Sequence, residues 1–152
     1  MNKNFTLQPL LNMAQKKSEA AALKLGKLNQ QQQAAQGKLE TLLQYRKDYQ
    51  LRFQEAAQNG MDQTGMRNFQ DFLNRLDAAI AQQRTVIEQA NHSVQNGRAE
   101  LQDSQRKMKS FDTLLQRHNE AGKMQALKAE QRMHDEQTGR FVALRSVKQN
   151  ES

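Results

Sequence analysis

His92, His118 and His134 are the side chains in this sequence most suited to holding a metal or moving a proton, and they lie 26 and 16 residues apart. On one continuous helix those separations exceed about 20 Å along the axis, so the three cannot share a site, and each is expected to be a solvent-exposed histidine. The chain has no cysteine, which removes thiolate nucleophiles, thiolate metal sites and disulfides. It also lacks a P-loop or other glycine-rich phosphate cradle. No catalytic, cofactor-binding or metal-ligating set emerges, and the residues point away from an enzyme. The chemistry that remains is recognition. Both tyrosines fall in LLQYRKDYQLRF, Tyr45 and Tyr49, four residues apart. That spacing stacks them on one helical face, and such a stripe faces either a core or a partner.

The elements that must carry this stripe follow from composition and period. The 152 residues are 36% hydrophobic and 5% aromatic with a single proline, which is little material for a globular core. Ala, Leu, Gln, Glu, Lys and Arg, all good helix formers, dominate, and no β-branched alternating stretch occurs. The composition predicts an elongated, all-α protein. No apolar run approaches the roughly 18 residues of a membrane-spanning helix, and MNKNFTLQPLLNMAQKK lacks the apolar region of a signal peptide. These features and the missing cysteines fit a cytoplasmic protein.

From Leu7 the chain can be walked in alternating steps of four and three through Leu11, Ala14, Ser18, Ala21, Leu25, Leu28, Gln32, Ala35, Leu39, Leu42, Arg46 and Tyr49 to Phe53, and eleven of these fourteen positions are apolar. This is a heptad seam, and it passes unbroken through the glutamine-rich QQQQAAQ at 30–36, which therefore reads as a polar helix face. The seam breaks at EAAQNGMDQTGM, where Asn59-Gly60 and Gly65 cluster as turn residues and Asp62 or Thr64 offers a helix N-cap. It resumes from Phe69 through Leu73, Leu76, Ile80, Gln83, Ile87, Ala90, Val94, Gly97, Leu101, Ser104, Met108 and Phe111 to Leu115, again with eleven of fourteen apolar.

The expected fold is a long antiparallel two-helix coiled coil, a helical hairpin filling residues 1–152 as one domain. Helix one spans about 7–57, the turn about 58–64 and helix two about 65–145, followed by a frayed tail. Laying the walks against each other pairs Phe53 with Phe69, Tyr49 with Leu73, Leu39 with Gln83, Leu25 with Gly97, Ser18 with Ser104 and Leu7 with Leu115; a shift of one heptad stays open, because the pattern does not fix the turn length. Helix two outruns helix one, so its last 30 or so residues, with Met124, Leu127, Met133, Phe141, Val142 and Leu144, have no partner within the hairpin. Gly26, Gly37, Gly97, Gly122 and Gly139 lie inside helical pattern at about 1 kcal/mol each relative to alanine.

Charge and aromatics mark two regions. Residues 1–57 carry nine Lys/Arg against four Asp/Glu, residues 58–100 four against five, and residues 101–152 ten against seven. Basic chain ends suit an acidic protein, nucleic acid or an anionic membrane surface. The interleaved acids and the remote aromatics speak against nucleic acid. Leu42, Tyr45 and Tyr49 on one helix and Phe72, Leu76 and Ala79 on the other form flanking stripes at similar height. Together they make either a wide seam with partly covered aromatics or an apolar docking surface.

At LETLLQYRKDY from Leu39 to Tyr49, the NG turn at 59–60 and NFQDFLNRLDAAIAQQR from Asn68 to Arg84, the chain resembles the FliJ family of the bacterial flagellar type III export apparatus. The resemblance covers most of the length and is clearest from about residue 36 to 90. It implies a non-enzymatic coiled coil similar to the central stalk of rotary ATP synthases. Such a protein binds the pore of the hexameric export ATPase, contacts the export gate protein FlhA and handles export chaperones, without nucleic acid or cofactor. The implied location is cytoplasmic, peripheral to the inner membrane at the flagellar base through its partners. The family's gate-binding surface maps onto Leu42, Tyr45, Tyr49, Phe72, Leu76 and Ala79, with Lys38 and Gln83 where glutamine and histidine are expected at the rim. By the stalk analogy, residues near Leu10 to Leu28 and Met108 to Leu144 enter the ring, which gives Lys16, Lys17, Lys24, Lys27, Arg117, Lys123, Lys128 and Arg132 to the ATPase. A stalk protein of an injectisome is the nearest alternative, and a basic nucleic-acid-binding coiled coil a more distant one, distinguished by a steep dependence of affinity on salt.

Overall fold

The computed structural model describes residues 4–150, with side chains from Leu7 onward. Two helices account for almost all of them, α1 over Asn4–Gln58 and α2 over Gln63–Asn150. The protein is an all-α helical hairpin whose second helix is the longer. Pro9 lies inside α1, where its missing N–H leaves the carbonyl of Phe5 without its helical bond. The pattern places a frayed tail beyond residue 145; residues 146–150 are helical, and residues 151–152 lie outside the described residues.

The bend is built from local chemistry. Helix α1 ends where Gly60 takes φ 89°, a left-handed conformation that glycine adopts without steric cost. Of the two candidate caps, Asp62 serves: its Oδ1 accepts the N–H of Gly65 at 2.8 Å. Its carbonyl accepts the first helical bond from Met66 at 3.0 Å.

The chain divides into two compact units, Lys17–Ser104 and Met1–Lys16 with Gln105–Ser152. In the first, contacts that climb α1 descend α2: Phe53 meets Phe69, Arg46 meets Asp77, Gln32 meets Asn91 and Lys24 meets Glu100. The pairing is antiparallel in the register that sets Leu25 against Gly97, and this excludes the heptad-shifted alternative for the structure. Every position of both walks is buried or half-buried. Gln83 departs from the layer scheme in reaching past Leu39 to donate its amide N–H to the Ala35 carbonyl at 2.9 Å. Ser18 is buried, and the Ser104 hydroxyl donates back to the Leu101 carbonyl at 2.9 Å.

In the second unit, Leu11 and Ala14 are buried, while Leu7, Met108, Phe111 and Leu115 are half-buried. His118 is half-buried as well, unlike exposed His92 and His134. It continues the walk three residues past Leu115, and so differs from the exposed state expected of all three. From Asn119 to Asn150 every residue is exposed, as the missing partner requires.

The glycines divide by surroundings. A Cβ on Gly97 would stand 2.9 Å from Leu28 Cδ1 and 3.3 Å from Leu25 Cδ1, whereas on Gly26 or Gly37 it would meet nothing within 4 Å. Gly97 is therefore the hollow that receives two leucines, a role that its helix cost alone does not express. Gly37→Ala should raise stability by about 1 kcal/mol through helix propensity, and Gly97→Leu should lower it by about 1–3 kcal/mol through overpacking, both read from urea unfolding followed by circular dichroism. A gain at Gly97→Leu would contradict this packing.

Candidate functional site

The hairpin unit has two unlike flanks near the bend. On one, the Tyr49 ring lies 4.2 Å from Phe72 and 4.9 Å from Phe69, centroid to centroid, at 40° and 47°. Phe69 in turn meets Phe53 edge-on at 5.5 Å. The layer scheme sets Tyr49 against Leu73; its ring turns instead onto the two phenylalanines, where tilted aromatic pairs gain beyond their buried area. Phe69 and Phe53 belong to this stack and were not among the residues of the expected patch.

Depth separates the six residues of the predicted surface. Tyr45 is 60% exposed and Phe72 40%, while Leu76 is only 8% exposed. Leu42, Tyr49 and Ala79 are half-buried. Leu76 thus belongs to the core under the patch, because its seam position points at α1. Val86, 40% exposed, extends the stripe by a further seven residues after Phe72 and Ala79, and that spacing was its signal in the sequence. Gln83 is 7% exposed and lies in the core, whereas the resemblance places it at the rim; Lys38 is exposed.

The other flank is polar. The Arg46 Nε donates to Asp77 Oδ1 at 2.5 Å and Nη2 to Oδ2 at 3.5 Å. Its Nη1 donates to Gln50 Oε1 at 3.3 Å. Hydrogen bonding from Arg46, with its charge, holds the Asp77 carboxyl below the usual value, and the same bond raises Arg46. A lowered carboxylate pKa contributes stability that is present above the unfolded value and lost as pH falls through the folded one. The pair is exposed, so its geometric role in setting the layer exceeds its energetic one.

The basic residues are distributed over both units and described within each. In Lys17–Ser104, Lys17, Lys24 and Lys27 are exposed on α1, and Lys24 is engaged by Glu100 at 3.2 Å. In the other unit, Lys16, Arg117, Lys123, Lys128 and Arg132 are exposed. There Arg145 lies over the Phe141 ring at 5.5 Å. Among the described residues no helix is long and apolar enough to cross a membrane, and no group of three or more His, Asp or Glu side chains could hold a metal ion.

Fold and surface together define a two-helix coiled-coil protein with an aromatic flank beside its bend. The sequence profile described as Flagellar FliJ protein matches residues 2–146. A Flagellar FliJ protein of Salmonella typhi is 26% identical over 151 residues, covering 99% of this chain and 100% of the relative. One of Escherichia coli (strain K12) is 25% identical over 151 residues, with the same coverage. The chain belongs to the FliJ family, components of the flagellar protein export apparatus.

The stack makes a stability prediction. Tyr49→Ala should cost about 2 kcal/mol or more, since it removes a half-buried aromatic from two ring contacts, whereas Tyr45→Ala should stay within about 0.5 kcal/mol of the parent. Thermal and urea unfolding of the two variants compare them directly; equal losses would place Tyr45 in the core.

Proposed function

We propose that this protein is a non-enzymatic stalk of the flagellar export apparatus. Its hairpin docks on the export gate protein FlhA through the aromatic flank, and its basic chain ends engage the hexameric export ATPase. The observation that carries the reading is the exposure of Tyr45 and Phe72 around a Tyr49 that is itself held by Phe72 and Phe69. Nothing else in the described chain covers those two rings. Exposed aromatics on a rigid base suit a protein interface, because little side-chain entropy remains to be lost when they are buried. Leu42 and Ala79 complete the surface, and Leu76 supports it from below.

The ATPase contact is assigned to Lys16, Lys17, Lys27, Arg117, Lys123, Lys128 and Arg132, exposed cations that suit an acidic surface. Lys24 contributes less, being already paired with Glu100. Export chaperones are further partners, and the exposed apolar residues of 119–150 are one surface open to them. The protein is cytoplasmic in this reading, held at the inner membrane of the flagellar base by these contacts.

Two measurements test the assignment. Tyr45→Ala should weaken binding to the cytoplasmic part of FlhA by about 2 kcal/mol, some 30-fold, at unchanged helical content; unchanged affinity would remove the flank from the gate contact. Charge reversal at Lys16, Lys17 and Lys27 should weaken ATPase binding and leave FlhA binding intact. The opposite pattern would mean that the two surfaces are interchanged.

A further inference from the structure

The seams repeat so regularly that the heptad pattern alone does not single out one pairing of the helices, although the Gly97 hollow for Leu25 and Leu28 and the bend at Gly60 and Asp62 both fit the observed one. Sliding α2 by seven residues, about 10 Å, keeps seam opposite seam. In one direction Leu28 would face Ile87 and Leu39 would face Leu76; in the other, Leu28 would face Leu101 and Ala35 would face Val94. These layers are as apolar as those present, in which Leu28 shares a layer with Val94 and Leu39 with Gln83.

Polar groups tell the registers apart. In the structure the Gln83 amide, 7% exposed, donates to the Ala35 carbonyl at 2.9 Å. Gln32 donates to Asn91 at 2.5 Å, and Arg46 binds Asp77. All three contacts form together only in this register. Slid one way, Gln32 could meet Gln83, but Arg46 would fall in the layer of Phe69. Slid the other way, Arg46 could meet Gln83, but Gln32 would face Gly97. Of the three, Gln83 is buried, where an unpartnered amide is costly and a satisfied one contributes little net stability; Gln32 and Arg46 are half-buried seam positions whose contacts lie at the surface, so the set discriminates between pairings more than it strengthens any of them.

We propose that Gln32, Arg46 and Gln83 form a register lock. They make the hairpin less stable than an all-apolar seam would, and they select the one pairing in which Tyr49 of α1 reaches Phe72 of α2. Gln32 thereby acts as a positioning residue for an aromatic surface about 25 Å away along the helix.

The absence of cysteine makes the register directly readable with introduced pairs and a short thiol cross-linker such as dibromobimane. Lys24→Cys with Glu100→Cys, partners across the seam, reports the observed register. Lys24→Cys with Ser93→Cys, and Gln31→Cys with Glu100→Cys, report the two slid ones. In the parent background only the first pair should cross-link efficiently. In the Gln32→Leu, Arg46→Leu, Gln83→Leu background the protein should melt at higher temperature while at least one slid pair gains tenfold or more in intramolecular yield, scored on the monomer band so that association between chains is not counted. If the triple variant is not helical, Gln32→Leu with Gln83→Leu is tested in the same way. Cross-linking confined to the first pair, or a lower melting temperature in a folded variant, overturns the lock.

Discussion

Two helices that touch along a single seam must take everything from that contact, since neither has a second covered face. No large side chain in the described protein is fully buried; the deepest apolar residues are Leu11, Ala14, Ala35, Leu76, Ile80 and Val94, each still retaining a few per cent of its surface. Stability is then a sum of many half-buried layers of modest weight, and no one layer is a core in the globular sense. The seam has to be nearly continuous for such a sum to exceed the entropy of ordering the chain. The steps of four and three from Leu7 to Phe53 and from Phe69 to Leu115 provide that continuity.

The same constraint creates the flanks. In an antiparallel pair each side of the seam is lined by one stripe from each helix, and the two sides are chemically independent. Near the bend, one side carries Tyr45, Tyr49 and Phe72, and the other Arg46, Gln50 and Asp77. A globular protein would cover the aromatic side with a further element. Here Tyr49 is fixed by Phe69 and Phe72, and Tyr45 and Phe72 beside it remain at the surface, so one stack both packs the bend and leaves an aromatic face uncovered.

Away from the bend, exposure follows directly from unequal helix lengths. Helix α2 continues beyond any residue of α1 that could cover it, and the apolar side chains Met124, Leu127, Met133, Phe141, Val142, Leu144 and Val147 are all more than half exposed. Their spacing departs from the strict seam as soon as no seam is required. Arg145 resting on Phe141 is a local contact within one helix, of the kind that remains when tertiary packing is absent.

Helix identity, the seam positions, the break at Asn59-Gly60 and the bare end of α2 were determined by the sequence itself, because each is a matter of local propensity and of a period that one helix displays alone. Which flank the tyrosines occupy was also legible, from Tyr45 lying one step off the walk and Tyr49 on it. Register was legible only by counting out from the turn, which paired Leu25 with Gly97 as the structure does, because a seven-residue repeat by itself is indifferent to a seven-residue slide; the paired structure decides between the two and sets Gln83 onto the Ala35 carbonyl and Arg46 against Asp77. The choice of Asp62 over Thr64 as cap and the depth of Leu76 beneath Phe72 were decided there as well. Cap geometry and burial depend on what stands opposite a residue, and a linear pattern specifies the face of a helix without specifying its neighbour across the seam.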